Sequence, residues 1–127
     1  MGSEANFAEV IAKNRMQCIE FYKSGSLRNA VEINDCESRM AITRAQMVGE
    51  PDLNDLSAYY SERKKLAKMI DARTINRKVA VERETAIEKQ YSPAFQSASA
   101  SRSAMQNPFA DPHFVEGAML YYAVFNK

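Results

Sequence analysis

From Leu53 to Tyr91 the chain carries neither glycine nor proline. Roughly forty residues without a helix breaker permit one uninterrupted rod, about 55 to 60 Å long at about 1.5 Å rise per residue. A rod of that length exceeds the diameter of a small domain, so the chain's own core can cover only part of it. Leu53, Leu56, Tyr59, Tyr60, Leu66, Met69 and Ile70 fall at helical spacing and fill the face of its first half. Beyond Asp71 the apolar residues thin to Ile75, Val79, Val81 and Ile87, and Glu84 with Glu88 forms a like-charged pair one turn apart. The first half is therefore expected to pack at home. The second is expected to project, or to be covered by another chain.

Before the rod the sequence reads as a helical hairpin. Phe7, Val10, Ile11, Cys18, Phe21 and Tyr22 recur at three and four residues, with Lys13, Arg15, Glu20 and Lys23 off that face. Ser24-Gly25-Ser26 supplies a stop and a new start. A second helix is expected from about Leu27 to Val48 with two apolar rows, one through Leu27, Ala30, Val31, Ala41, Ala45 and Val48, the other through Ile33, Cys36, Met40 and Met47. Two rows require two neighbours. Asn14, Asn34 and Ser38 border the first row, where a buried polar group would fix register. Gly49-Glu50-Pro51-Asp52 ends this helix, and Glu50, Asp52 and Asp55 suit the positive end of the next. The turn is no tetratricopeptide unit: at that repeat's spacing Gly25 and Ala30 are answered by Tyr59 and Lys64.

Tyr91-Ser92-Pro93 closes the rod. A stretch rich in serine and alanine follows, with Pro93, Pro108 and Pro112 as stiff points, and reads as an arm. The last segment, from Phe114, is far more apolar than anything before it and is too short to span a bilayer. The expected architecture is all-α: a helical domain over residues 1–91, made of the hairpin and one long third helix, an extended arm over 92–113, and an apolar C-terminal docking segment over 114–127.

With 17 basic and 16 acidic side chains the net charge is +1, so no overall field draws in nucleic acid or anionic lipid. Local charge is another matter. Between Glu62 and Arg83 basic residues outnumber acidic ones, and Lys64 with Lys68, and Arg73 with Arg77, would each share a helix face able to follow phosphates. Cys18 and Cys36 are the only cysteines. With the turn centred near Gly25 they lie roughly 10 Å and 17 Å along their helices, so their Cα atoms should stand beyond the roughly 7 Å reach of a bridge. Both are expected as free thiols.

Catalysis finds little footing. His113 is the sole histidine, and no H-E-x-x-H, C-x-x-C or phosphate-cradling glycine loop occurs. Glu32, Asp35 and Glu37 read as a solvated face rather than a metal cage, which on helices would need facing Glu-x-x-His pairs. The sequence therefore implies a non-enzyme without metal or cofactor. It suits a structural or adaptor subunit of a larger assembly, such as a virion or a secretion apparatus, in the cytoplasm or inside the particle. Phe114, Val115, Met119, Leu120, Tyr121, Tyr122 and Phe125 are its expected contacts with a protein partner or a second copy, since exposed apolar patches of this kind mark interfaces; the other reading of the segment is that it folds back on the domain's own second helix. The alternative is a helical nucleic-acid-binding module using Lys64, Lys68, Arg73 and Arg77.

Overall fold

A computed structural model of the chain describes residues 7–48, 52–95 and 120–125. Apart from the turns between helices these residues are helical, and they contain no strand. The helices are α1 (Phe7–Lys23), α2 (Ala30–Val48), α3 (Leu53–Ala72) and α4 (Arg77–Tyr91), which runs into a 3-10 turn (Ser92–Phe95), and a short α5 (Leu120–Phe125).

The hairpin turn forms as its residues dictate. Gly25 takes φ +92°, its N–H donates to the Tyr22 carbonyl at 3.1 Å, and the Ser26 N–H reaches back to the Phe21 carbonyl at 2.8 Å. This is a Schellman stop, and glycine suits its left-handed position. Helix α2 then starts at Ala30, later than expected, because two caps meet there. The Asn29 side chain accepts from the Glu32 N–H at 2.9 Å, while Asp71, from the far end of α3, accepts from the N–H groups of Ala30 and Val31 at 2.8 and 2.9 Å.

The rod breaks. Arg73 takes φ +59° and forms a second Schellman stop, its N–H donating to the Ile70 carbonyl and the Thr74 N–H to the Met69 carbonyl, both at 3.1 Å. Asn76 restarts the helix by accepting from the Val79 N–H at 2.9 Å. The expected long third helix is thus two helices, α3 and α4. A left-handed position costs a non-glycine residue about 1–2 kcal/mol, so the absence of glycine did not reveal the stop. Nor does α4 project. It folds back along α3 and buries Ala80, Glu84 and Glu88.

Helix α2 packs between α1 and α3, the two neighbours its two rows require. The core divides into two clusters. One gathers Cys18, Ile33, Leu66, Ile70, Ala80, Leu120 and Tyr121 among its members; the other holds Ile11, Ala41, Ala45, Leu56, Tyr59, Tyr60 and Phe95. Along α1 and α3 the chain passes from the second cluster to the first, and along α2 and α4 from the first to the second, so the four helices alternate up and down. Ser92 and Phe95, at the start of the expected arm, are buried, and the Phe95 ring stands edge-on 5.1 Å from that of Tyr59.

Cys18 and Cys36 form a disulfide, with a Cα separation of 6.1 Å. The expectation of free thiols fails because α2 begins at Ala30. Cys18 stands five residues before the end of α1 and Cys36 six after the start of α2, so at about 1.5 Å per residue they are almost level. The bridge closes a loop of sequence separation 18. Cross-linking a loop of that size should stabilise the fold by about 3 kcal/mol. Urea unfolding with and without a phosphine reductant checks this; an unchanged midpoint, or two free thiols titrated under non-reducing conditions, would contradict it.

Candidate functional site: a buried charge layer and the helix it holds

Between the two apolar clusters each of the four long helices contributes charge. Arg15 of α1, Glu37 of α2, Arg63 of α3 and Glu84 and Glu88 of α4 are buried, the most exposed of them Glu88 at 2 %. Each lies on its helix's apolar stripe. Arg15 falls between Ile11 and Cys18, Glu37 between Ile33 and Ala41, and Arg63 between Tyr59 and Leu66. Their side chains therefore meet at one level.

Arg63 is the hub. Its Nη1 donates to Glu37 Oε1 at 2.6 Å and to Asn34 Oδ1 at 3.2 Å, and its Nη2 donates to Glu84 Oε2 at 3.2 Å. Its Nε lies 3.6 Å from Glu88 Oε2. Arg15 Nη2 donates to the Tyr59 hydroxyl at 2.6 Å and to Glu88 at 3.1 and 3.2 Å, while its Nε stands 3.6 Å from Glu37 Oε1. The Tyr59 hydroxyl donates in turn to Glu88 at 2.8 Å. Asn34 adds a bond from Nδ2 to the Tyr60 carbonyl at 3.1 Å, so on that seam it is a buried polar group with its bonds made. Burial would lower the pKa of both guanidiniums, but the carboxylates, Glu88 foremost for Arg15 and Glu37 for Arg63, more than offset it and hold both fully charged. Burial also pushes the Tyr59 and Tyr60 hydroxyls up, so both stay protonated.

Two guanidiniums face three carboxylates, and the excess carboxylate is answered by backbone. The Leu120 N–H donates to Glu84 Oε2 at 2.9 Å and the Tyr121 N–H to Oε1 at 3.2 Å. Glu84 thus joins the charge layer to the first turn of α5, where a negative group is favoured. Leu120 is fully buried and Tyr121 is 2 % exposed. The Arg77 guanidinium lies 5.9 Å from the Tyr121 ring centre, and that of Arg73 5.0 Å from the half-buried Phe125 ring. Helix α5 packs on α2, α3 and α4 of its own chain. Burial pushes the Glu84 carboxyl above its ordinary pKa, although Arg63 and the Leu120 N–H pull the other way.

Of the expected contact residues, Leu120, Tyr121 and Phe125 come together on this dock. Phe114, Val115, Met119 and the Tyr122 side chain lie outside the described residues. The expected basic stripe is divided. Lys64 pairs with Asp35 at 3.3 Å and Lys68 is exposed, whereas Arg73 and Arg77 fall on either side of the break and stand over rings of α5. Four other expectations are corrected. Arg15 lies on the buried face, and Arg63 belongs to the interior rather than to a basic surface. Glu37 is no part of a solvated face, and Glu84 and Glu88 do not repel in solvent but share the two arginines. A charge in mid-stripe on every helix, with opposite signs on neighbouring helices, was the available signal.

A groove of about 330 Å³ on the outer side of α2 is lined by Asp35, Ser38, Arg39, Ile42 and Thr43. Among the described residues no group of three or more His, Cys, Asp or Glu is placed to hold a metal ion, and no helix is long and apolar enough to cross a membrane. Comparison with known proteins gives no relative: no family profile, curated protein or solved structure matches the chain.

The two adjacent tyrosines give a direct test of the layer. Tyr59→Phe removes a hydroxyl bonded to two charged groups and should cost about 1.5–3 kcal/mol. Tyr60 has a buried hydroxyl without a hydrogen bond among the described residues, so Tyr60→Phe should be neutral or slightly stabilising. Equal losses in chemical denaturation would show that the network is not as described.

Glu84 yields a pH dependence. Its folded pKa lies above the unfolded one, so its contribution to stability is fullest below the unfolded value and is lost as pH rises through the folded value. Measured against Glu84→Gln, which cannot ionise, the parent protein should lose relative stability from about pH 4 upward. A relative gain over that range would reverse the assignment.

Proposed function

We propose that this protein is a structural or adaptor subunit of a larger protein assembly, joined to other copies through helix packing and its apolar C-terminal segment. The observation that carries this reading is the dock for that segment: a buried carboxylate aimed at the first two N–H groups of a short helix, with Leu120 and Tyr121 buried beside it. Burying a charge is costly unless it is paired, and here the groups that complete the pairing are backbone amides of the tail. The chemistry is that of capturing a segment. The other buried charged groups are turned on one another, as in a scaffold held in one register.

The nucleic-acid reading draws less support, because Arg73 and Arg77 are engaged with Phe125 and Tyr121 and Lys64 with Asp35. Light scattering after size exclusion separates the two. The mass per particle should rise with protein concentration, change little between about 50 and 200 mM salt, and be indifferent to added duplex DNA. A monomer mass up to about 1 mM would overturn the assembly reading. Retention by DNA that collapses over that salt range would put Lys64 and Lys68 in its place.

A further inference from the structure

The Cys18–Cys36 bridge lies inside the bundle. Cys18 is fully buried and Cys36 is 6 % exposed, and both belong to the apolar cluster that gathers Ile33, Leu66, Ile70 and Leu120. Met40, one turn beyond Cys36 on α2, sets its Sδ 3.6 Å from Cys18 Sγ. Side chains of α2, α3 and α5 thus share one packed cluster with the two sulfurs.

Disulfides form and break by attack of a thiolate on a sulfur through a mixed disulfide, so the attacked sulfur needs room for the incoming group. An interior packed at native density leaves none. A reduced chain that had already folded would meet a second obstacle: thiols among apolar side chains are held protonated, and only the thiolate attacks. Two of the devices that bring the cysteines level are by contrast local. Gly25 ends α1 and Asn29 caps the first turn of α2, both within the loop that the bridge closes, of sequence separation 18. A loop of that size closes at modest entropic cost in an open chain, so the sulfurs can meet before α3 and α5 cover them.

We infer that the bridge is introduced by thiol–disulfide exchange with a disulfide donor before the bundle closes, and that the closed bundle then shields it from small thiols. One cysteine thiolate attacks a donor sulfur and displaces the other donor sulfur as a thiolate. The second cysteine thiolate attacks the cysteine sulfur of the mixed disulfide and displaces the remaining donor sulfur. Two cysteine thiols and one donor disulfide become one bridge and two donor thiols, the cysteine protons passing to the released thiolates. The reaction class that must act on the new chain is therefore oxidation by a protein or small-molecule disulfide. This holds whether or not copies of the chain assemble.

The test uses the full chain with its bridge formed. Samples taken during incubation with excess dithiothreitol are quenched in acid, alkylated in denaturant and weighed by mass spectrometry, which counts the thiols. Reduction in buffer should run at least about a thousandfold slower than in concentrated urea, since a fold of ordinary stability is open in no more than about one molecule in a thousand. Tyr59→Phe, in the charge layer and away from the bridge, should speed reduction in buffer by about tenfold to a hundredfold, the factor by which its loss lowers the folding equilibrium constant. Should that variant not fold, the parent's reduction rate should rise with low urea at the slope of its unfolding equilibrium. Reduction in buffer within about tenfold of the unfolded rate, or a rate unmoved by Tyr59→Phe and by low urea, would show the sulfurs open to attack in the folded protein and overturn the shielding. For the forward step the chain is reduced in urea and returned to buffer, and oxidised glutathione is added at once or after a delay. Bridging should be at least about tenfold slower after the delay. Equal rates while circular dichroism shows the reduced chain folded would overturn the order of events; a reduced chain that does not fold until oxidised would establish it.

Discussion

The ion pairs around Arg63 decide how this bundle can be put together. One guanidinium reaches carboxylates on α2 and α4, a second on α1 shares them, and Tyr59 and Asn34 take up further valences. Buried pairs of this kind are weak sources of net stability, because desolvation consumes most of the attraction, yet removing one partner costs about 3–5 kcal/mol. What the layer supplies is discrimination. Sliding any helix by one turn would carry its charge into an apolar cluster and leave the opposing charge unanswered. Apolar faces made largely of alanine, such as that of α2, set register poorly by themselves.

Much of the scaffold is legible in residue order because local chemistry decides it. Glycine at the left-handed position ends α1, Asp52 caps α3 through the Asn54 N–H, and the two rows of α2 find two neighbours. Where residue order misleads about the turn and the charge layer, a residue acts against its type. Arg73 occupies a conformation that glycine or asparagine would advertise, so the α3 to α4 turn is silent. Periodicity assigns Arg15, Glu37, Glu84 and Glu88 to solvent because charged residues are rarely buried unpaired, and their partners lie on other helices, beyond its reach. The disulfide is hidden by a three-residue displacement in the start of α2, itself set by the distant Asp71.

The same two errors conceal the site. A straight rod would set Arg73 and Arg77 along one stripe. The break turns α4 back on α3 and leaves both arginines beside the end of the chain, where aromatic rings meet them. The apolar character of the terminal segment points to burial from the outset. Its receptor could not be foreseen, because its central polar group, Glu84, looks like half of a repulsive surface pair.

Two helices in this molecule begin on carboxylates lent by others: α2 on Asp71 of α3, and α5 on Glu84 of α4. A helix capped by its own neighbouring residues can nucleate alone. One whose opening amides wait for a distant side chain starts reliably only after that side chain has arrived. This imposes an order of events on folding. The α3 to α4 hairpin, whose caps at Asp52 and Asn76 are local, can form without the rest; α2 has a local cap in Asn29 beside the one that Asp71 lends, whereas the opening amides of α5 meet Glu84 and follow α4. During synthesis α5 leaves the ribosome after the helices that form its dock, so each newly made copy passes through a stage in which its dock is built and its own α5 has yet to arrive.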